Sequence, residues 1–211
     1  MSVFSLLLVG SALASEVSEV EAQAQVTRIE AHYSTIQTLQ AGFTQTVHST
    51  LYGAQVQTGT VTFGRPGRMN WTFDKENKRY VSDGQTLWIH DPVAKEVQVL
   101  EVGAGFLSGA AIQFLLGEGR ILETFRVTTS GCQEDPVTLV LHPKEPATYE
   151  KLELVVDPAS GSIRETEVID LFGNRTRVRF EDMKTNQDPP SEIFRFEPPE
   201  GVRVLELPPT P

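Results

Sequence analysis

The residues that could carry out catalysis do not form a known catalytic arrangement. Ser82, His90 and Asp91 supply the residue types of a hydrolase triad, in which a histidine takes the proton of a nucleophilic serine. His90 and Asp91 are neighbours in a predicted strand, so their side chains point to opposite faces of a sheet. The segment Gly105–Gly109 lacks the glycine and serine spacing of a nucleophile elbow. The sequence therefore predicts a protein that is not an enzyme and needs no cofactor.

Acidic and metal-ligating residues are scattered in the same way. Glu165 with Glu167, and Glu197 with Glu200, are typical of solvated strand and loop positions. Cys132 is the only cysteine, so it forms no intramolecular disulfide and belongs to no metal-binding pair. Four histidines lack the spacing of metal ligands: His32, His48, His90 and His142. The glycines form neither a phosphate loop nor a strand-linked GxGxxG motif.

Composition limits the class of partner. The chain has 211 residues, of which 22% are charged and 39% hydrophobic, as in a globular protein of one domain. Its formal net charge is −10. This charge argues against nucleic acid, whose phosphates require clustered Lys and Arg, and against stable adhesion to an anionic membrane.

The first residues resemble an export signal. Residues 1–14 (MSVFSLLLVGSALA) are apolar and end in a small-x-small cleavage pattern, although no Lys or Arg precedes the apolar run. The segment is too short to span a bilayer, and no later segment has 18 continuous apolar residues. We therefore expect a signal peptide over 1–14, an exported single domain over 15–211, and no stable membrane insertion.

The most informative stretch is apolar rather than reactive. Between Phe63 and Pro92, three short apolar runs are separated by turn signals. Met69, Trp71 and Phe73 alternate, which places all three side chains on one face of a strand. This large apolar face requires a cover.

The remaining chain supplies strands and two possible covers. An apolar stripe between Glu16 and Leu39 predicts one amphipathic helix; its members are Ala22, Val26, Ile29, Tyr33 and Ile36. Phe43 and Val47 begin an alternating strand, and further short strands follow every 8–12 residues, as in an antiparallel meander. The last apolar run, Ile193–Phe196, precedes prolines and is expected to be extended and edge-like.

A second possible cover interrupts the meander at Gly103–Gly119. Its apolar residues have helical spacing and glycines on both sides: Phe106, Leu107, Ala110, Ala111, Phe114 and Leu115. Helices on a sheet favour two interpretations, an ordinary core or a cavity for an apolar ligand closed by movable helices. The alternation in Leu87–His90 leaves open whether Leu87 and Ile89, or Trp88 and His90, face inward.

Several motifs together resemble one protein family. LQAGFTQTV is followed by RPGRMNW, YVSDGQTLWIHDP, the apolar insert, GNRTRVRF and FRFEPPEGV, in an order that spans nearly the whole chain after residue 14. This order resembles the LolA family of periplasmic outer-membrane lipoprotein carrier proteins. Arg68 stands where a neutral residue is frequent in the family, and Met69 stands where an aromatic residue is usual.

The resemblance implies a fold and a function. The fold would be α+β and mainly antiparallel β, an unclosed half β-barrel of about 11 strands whose apolar concave face is covered by helices. A monomer of this kind would take acylated lipoproteins from an inner-membrane ABC transporter and deliver them to the outer-membrane acceptor LolB or a substitute. Arg65, from the RP pair, would hold the lid closed.

The predicted ligand-binding residues combine apolar positions of the strands with those of the second cover, Gly103–Gly119. They are Phe43, Val47, Met69, Trp71, Phe73, Leu87, Ile89, Phe106, Leu107, Phe114 and Leu115. The alternatives are a general lipid-binding protein or an acyl-sensing periplasmic domain of the same fold. Such sensors usually carry a second domain, for which the sequence leaves no room after Leu205.

Overall fold

The computed structural model describes residues 9–101, 120–130 and 136–207. Its helices are α1 (Val9–Ser34), the short α2 (Ile121–Thr124) and a 3-10 helix (Ser191–Phe194). The first six strands are β1 (Thr38–Ser49), β2 (Gly53–Gly64), β3 (Arg68–Phe73), β4 (Arg79–Asp83), β5 (Thr86–Asp91) and β6 (Glu96–Glu101). The others are β7 (Phe125–Ser130), β8 (Val137–Pro143), β9 (Tyr149–Val156), β10 (Ile163–Asp170), β11 (Arg175–Thr185) and β12 (Arg203–Glu206).

All the described strands belong to one sheet. Its order is β12-β6-β5-β4-β3-β2-β1-β11-β10-β9-β8-β7, and every pair is antiparallel except β12 with β6. The sheet is unclosed, because β12 and β7 form its two edges. The predicted α+β class and unclosed antiparallel architecture are confirmed, with twelve strands in place of about eleven.

Two meanders meet in the middle of this sheet. Strands β2 to β6 form one, β7 to β11 form the other, and β1 joins them by pairing with β2 and β11. The β1–β11 register runs from Leu39 opposite Thr185 to His48 opposite Arg175, with an irregularity between Gln40 and Gly42. The alternating apolar residues of both meanders therefore share one face, which we call the inner face.

Helix α1 packs on the inner face. Its predicted stripe is buried together with the apolar side chains of the sheet, and Val26 and Ile29 are fully inaccessible. The helix runs from Val9 to Ser34 rather than from Glu16 to Leu39. It ends earlier because strand alternation already begins in β1, where Leu39, Ala41 and Phe43 are buried in turn.

The C-terminal tail covers part of the opposite, outer face. The sequence predicts an edge-like segment over Ile193–Phe196, but the 3-10 helix occupies Ser191–Phe194 and its Phe194 side chain is 2% exposed. The Asn70 side chain of β3 donates a hydrogen bond to the Ile193 carbonyl at 2.6 Å. The edge strand is β12 instead, because Arg203–Glu206 pairs with β6.

Three sequence predictions fall wholly or partly outside the described residues. They concern the N-terminal part of the 1–14 segment, the apolar insert Gly103–Gly119, and Cys132. The candidate ligand-binding residues Phe106, Leu107, Phe114 and Leu115 lie in that insert. Residues 9–14 form the beginning of α1.

Candidate functional site

The inner face carries a connected cluster of aromatic side chains. Phe43 of β1 packs against Trp71 of β3, with ring centroids 4.8 Å apart, and against Phe73 at 5.3 Å. Phe63 of β2 meets the edge of Trp71 at 6.0 Å. Met69 is fully buried beside them. The alternation of β1, β2 and β3 thus brings these residues together in the same buried core as the apolar stripe of α1.

Two polar atoms in this region lack hydrogen-bond partners. The indole Nε1 of Trp71 and the side-chain oxygen Oε1 of Gln25 are both buried and without a partner in the described structure. Trp71 as a whole is 4% exposed. A donor buried without an acceptor costs about 1–3 kcal/mol. A ligand oxygen that reached it would remove this cost.

The orientation of β5, left open by the sequence, is defined by its contacts. Leu87 is 1% exposed within the core, and Ile89 packs partly buried against the same cluster. On the outer face, the rings of Trp88 and His90 pack near the Phe196 ring, with centroid-to-centroid distances of 6.5 and 5.4 Å. Leu87 and Ile89 therefore belong to the inner face.

Val47 occupies a different position from the other predicted ligand-binding residues. It is only half-buried and lies near the end of β1, opposite Thr176 of β11. The main core of the described residues does not include it. The same strand face carries Phe43 four residues earlier, so on β1 the buried apolar face ends between these two positions.

The sequence prediction missed the half of the face that lies on β8, β9 and β11. Its members are Leu139, Leu141, Leu152, Leu154, Val178 and Phe180, each 7% exposed or less. Their alternation is visible in the sequence, but each of these strands carries fewer aromatic residues than β3. The buried face therefore extends across both meanders.

Polar contacts between α1 and the sheet lie near the end of the helix. The Tyr33 hydroxyl accepts a hydrogen bond from the Ile163 backbone N–H at 3.1 Å. Arg28 donates from Nη1 to the Pro158 carbonyl at 2.9 Å. Gly161 lies directly under the helix, where a Cβ atom would stand 2.7 Å from the Arg28 carbonyl oxygen. This glycine permits the close approach of α1 to the β9–β10 turn.

Arg65 occupies the turn between β2 and β3, beside the same end of α1. Its backbone N–H donates to the Gln37 carbonyl at 2.8 Å, and the Arg65–Pro66 peptide bond is cis. Burial lowers the pKa of Arg65, and the Tyr33 phenol partly opposes this. Burial also raises the pKa of Tyr33 to about 12, against the hydrogen bond from Ile163 and the charge of Arg65. Arg65 and Tyr33 therefore interact across the junction between sheet and helix.

Arg68, the departure from the family pattern, has a structural role on the outer face. Its guanidinium lies 5.0 Å from the centre of the Phe194 ring and donates to the Arg65 carbonyl at 3.2 Å. A cation over an aromatic ring is attracted by the electrons of that ring. Arg68 therefore joins the C-terminal tail to the turn that carries Arg65.

The described residues contain neither a metal-binding cluster of side chains nor a membrane-spanning helix. Within 9–101, 120–130 and 136–207, no group of three His, Cys, Asp or Glu side chains could hold a metal ion. None of the helices in these ranges is long and apolar enough to cross a bilayer.

Comparison with solved structures supports the fold. An uncharacterized conserved protein from Thermus thermophilus superposes with a TM-score of 0.54 at 12% identity, covering 88% of this chain and 99% of that one. A DUF1329 family protein from Desulfovibrio piger gives a TM-score of 0.52 at 11% identity, covering 83% and 97%. At these identities the likeness concerns the fold alone.

Comparison of sequences identifies the family. A protein of Dechloromonas aromatica named outer-membrane lipoprotein carrier protein is 32% identical over 171 residues, covering 80% of this chain and 81% of that protein. One of the same name from Chromobacterium violaceum is 30% identical over 202 residues, covering 94% and 96%. The family model described as outer membrane lipoprotein carrier protein LolA matches residues 34–197. This chain therefore belongs to the LolA family.

Proposed function

We propose that this protein carries lipoproteins through the periplasm by holding their acyl chains between α1 and the inner face of the sheet. The observation that carries the proposal is the apolar contact between α1 and a twelve-stranded unclosed sheet. A cover of this kind can separate from the sheet without breaking β pairing. The Trp71 N–H is buried and has no partner among the described residues, so it offers a donor for an ester or amide oxygen of the cargo.

The energetics of acyl burial determine how such a carrier must work. Burial is worth about 0.8 kcal/mol per methylene, so three chains of about 15 methylenes represent roughly 36 kcal/mol of gross transfer. Net affinity is far smaller, because non-covalent binding saturates near about 20 kcal/mol and ordering the chains is costly. Release into water is nevertheless too slow to be useful. The cargo must pass from one apolar site to another.

The partners follow from this requirement for direct transfer. The supplier is an inner-membrane ABC transporter, which contributes the energy of loading, and the receiver is LolB or a substitute acceptor at the outer membrane. The carrier itself acts as a monomer. Family membership favours this role over acyl sensing, and the named relatives are carrier proteins.

Within this proposal, Arg65 is the latch that keeps the empty protein closed. Its charge lies beside Tyr33, whose hydroxyl also accepts from the sheet at Ile163. Breaking this cluster would free the C-terminal end of α1. Phe43, Met69, Trp71, Phe73, Leu87 and Ile89 would then line the acyl site.

The two tryptophans provide a direct test, because they lie on opposite faces. Trp71 lies on the inner face and Trp88 on the outer face. A Trp88→Phe variant retains only Trp71, and a Trp71→Phe variant retains only Trp88. A fatty acid carrying a nitroxide on its chain is added to each, and fluorescence quenching is measured. We expect quenching in the first variant and little in the second, with reversal by a triacylated lipopeptide.

Two results would contradict the proposal. Equal quenching of both variants would indicate non-specific adsorption, and absence of quenching in the Trp88→Phe variant would restore the interpretation as an ordinary core. Carrier and sensor are then separated by a transfer assay. The loaded protein is mixed with purified acceptor, and movement of a labelled lipoprotein to the acceptor is followed.

A further inference from the structure

Two neighbouring hairpin turns expose large apolar side chains at one end of the sheet. Leu51 and Tyr52, between β1 and β2, are 82% and 83% exposed, and Leu171 and Phe172, between β10 and β11, are 63% and 83% exposed. We call these four residues the apolar tip. The other exposed large apolar residues of the described chain are valines and one leucine: Val20, Val56, Val93, Val204 and Leu207.

The two turns are fixed to each other. The Asn174 side-chain oxygen accepts hydrogen bonds from the Thr50 backbone N–H at 3.0 Å and from its hydroxyl at 3.3 Å. Asn174 also donates from Nδ2 to the Asp170 carboxylate at 2.7 Å. The tip is therefore one preformed surface on two turns, and binding through it requires little ordering.

Each turn is also held internally by bonds to its own backbone. The Ser49 hydroxyl oxygen accepts from the N–H groups of Leu51 and Tyr52 at 3.2 and 3.3 Å. The Asp170 carboxylate accepts from the Phe172 N–H at 2.8 Å. These backbone polar groups of the turns are thus bonded locally, which lowers the cost of moving them out of water.

The charges next to the tip nearly cancel. Arg177 and Arg175 pair with Glu167, with N–O distances of 3.0 and 3.8 Å, and Asp170 adds one further carboxylate. The whole chain carries a net charge of −10, so this region is less acidic than the rest. Beside the tip, the outer face has a pocket of about 480 Å³, lined by Thr46, His48, Glu167, Arg175 and Arg177.

We propose that the apolar tip inserts reversibly into the interfacial layer of a zwitterionic phospholipid bilayer. Leucine and phenylalanine side chains partition into the acyl boundary, and tyrosine prefers the interface, where its ring is buried and its hydroxyl hydrated. The protruding shape suits a fluid surface, which can adapt to it. The guanidinium groups of Arg175 and Arg177, adjoining the pocket, would then face the phosphates of the lipid headgroups.

This contact is distinct from acyl binding between α1 and the inner face. The tip lies beyond Phe43, the last residue of β1 that belongs to the buried core. The contact is weak, because only four side chains enter the lipid. It would bring the carrier to a membrane without anchoring it there.

The test is flotation of the full chain with phosphatidylcholine vesicles, without any lipoprotein. The quadruple variant Leu51→Ser, Tyr52→Ser, Leu171→Ser, Phe172→Ser is expected to bind at least about tenfold more weakly than the wild type. Val93→Ser removes an apolar side chain that is 77% exposed elsewhere and should bind as the wild type does. Raising the ionic strength should leave wild-type binding nearly unchanged.

A depth measurement identifies the inserted residue. Phe172→Trp, combined with Trp71→Phe and Trp88→Phe, leaves one tryptophan at the tip. Lipids brominated on the acyl chain should quench its fluorescence. When the quadruple variant also carries Trp88→Phe, the nitroxide fatty acid should quench Trp71 normally, which keeps this proposal separate from acyl binding.

Three results would overturn the proposal: no flotation of the wild type, equal flotation of wild type and quadruple variant, or an unquenched tip tryptophan. If the quadruple variant transfers cargo slowly but the wild type does not bind vesicles, the tip contacts a protein instead of a membrane, and the proposal is wrong.

Discussion

Tyr33 and Ile163 are joined across the junction between the cover helix and the sheet, by a hydrogen bond of 3.1 Å from a backbone N–H to a phenolic oxygen. The Tyr33 side chain is 1% exposed, so this bond forms away from water. It connects the end of α1 to the first residue of β10. The neighbouring charge of Arg65 acts on the same phenol.

Replacing Tyr33 with Phe should lower the free energy of unfolding at neutral pH by about 1–2 kcal/mol, because the Ile163 N–H loses its acceptor in a buried position. Chemical denaturation measures this loss. Tyr52→Phe is the control, since Tyr52 is 83% exposed and its substitution should change stability little. A Tyr33→Phe protein as stable as the control would show that the bond contributes nothing.

The same residue gives a pH dependence. The folded pKa of Tyr33, about 12, lies above the unfolded value of about 10. The neutral phenol is favoured in the folded state, so its contribution is complete below pH 10 and is lost as pH rises from 10 to 12. Over this interval the stability of the wild type relative to Tyr33→Phe should therefore fall by about 2–3 kcal/mol. A constant difference would contradict the assigned pKa.

Replacing Arg65 with Leu should leave the fold intact but shift the protein towards the open form. The substitution removes the charge beside Tyr33, and a loss of about 1 kcal/mol would speed association of a fluorescent fatty-acyl probe about fivefold. Stopped-flow fluorescence measures the rate. Arg65→Lys retains the charge, so its association rate should lie between those of the wild type and Arg65→Leu. Binding and release of lipoprotein at wild-type rates would exclude the latch role.

Gly161→Ala should loosen α1, because the added Cβ would stand 2.7 Å from the Arg28 carbonyl oxygen. Gly201→Ala is a matched control: Gly201 has φ +79, close to the φ +78 of Gly161, but its Cβ would meet nothing within 4 Å. Both variants bear the backbone strain of about 1 kcal/mol, and only Gly161→Ala bears the clash as well. Gly161→Ala should therefore unfold at a lower temperature and associate with the probe faster than Gly201→Ala. Identical behaviour would mean that α1 does not rest on this turn.

Phe43→Leu and Phe194→Leu separate the acyl site from ordinary packing. Each phenylalanine is 2% exposed, one on the inner face and one on the outer face. Both substitutions should lower stability by about 2 kcal/mol through lost contacts. Only Phe43→Leu should alter equilibrium binding of the acyl probe, which titration measures. Equal effects on binding would place the acyl chains outside the inner face.

The sequence was most informative where the period of the side chains was regular. Met69, Trp71 and Phe73 alternate without interruption, and their shared burial follows from the geometry of a strand. The stripe of α1 is equally clear. The pattern places the end of the helix at Leu39 instead of Ser34, because Ile36 and Leu39 continue the apolar spacing into β1. Both features can be predicted from residues that are close together in the sequence.

Contacts between distant segments could not be predicted from these patterns. The Tyr33–Ile163 bond joins residues 130 positions apart, and a tyrosine at a helical core position gives no sign of such a partner. The parallel pairing of β12 with β6 and the packing of Phe194 on the outer face depend on the path of the whole tail. The latch role proposed for Arg65 rests on the family resemblance, and the proximity of Arg65 to Tyr33 is a contact between distant segments of the chain.

The central position of β1 has a consequence for how the chain folds. Each meander can form from neighbouring segments, but β1 must pair with the distant β11. Hydrogen bonds at the two ends of this pairing, Gln37 with Asn186 and Thr50 with Asn174, join residues 149 and 124 positions apart. Closing so long a loop is entropically costly, and such pairings are slow. A shift of one residue there would also turn the apolar residues of one meander to the opposite face. The two meanders therefore share a common core only after β1 and β11 have paired in the correct register.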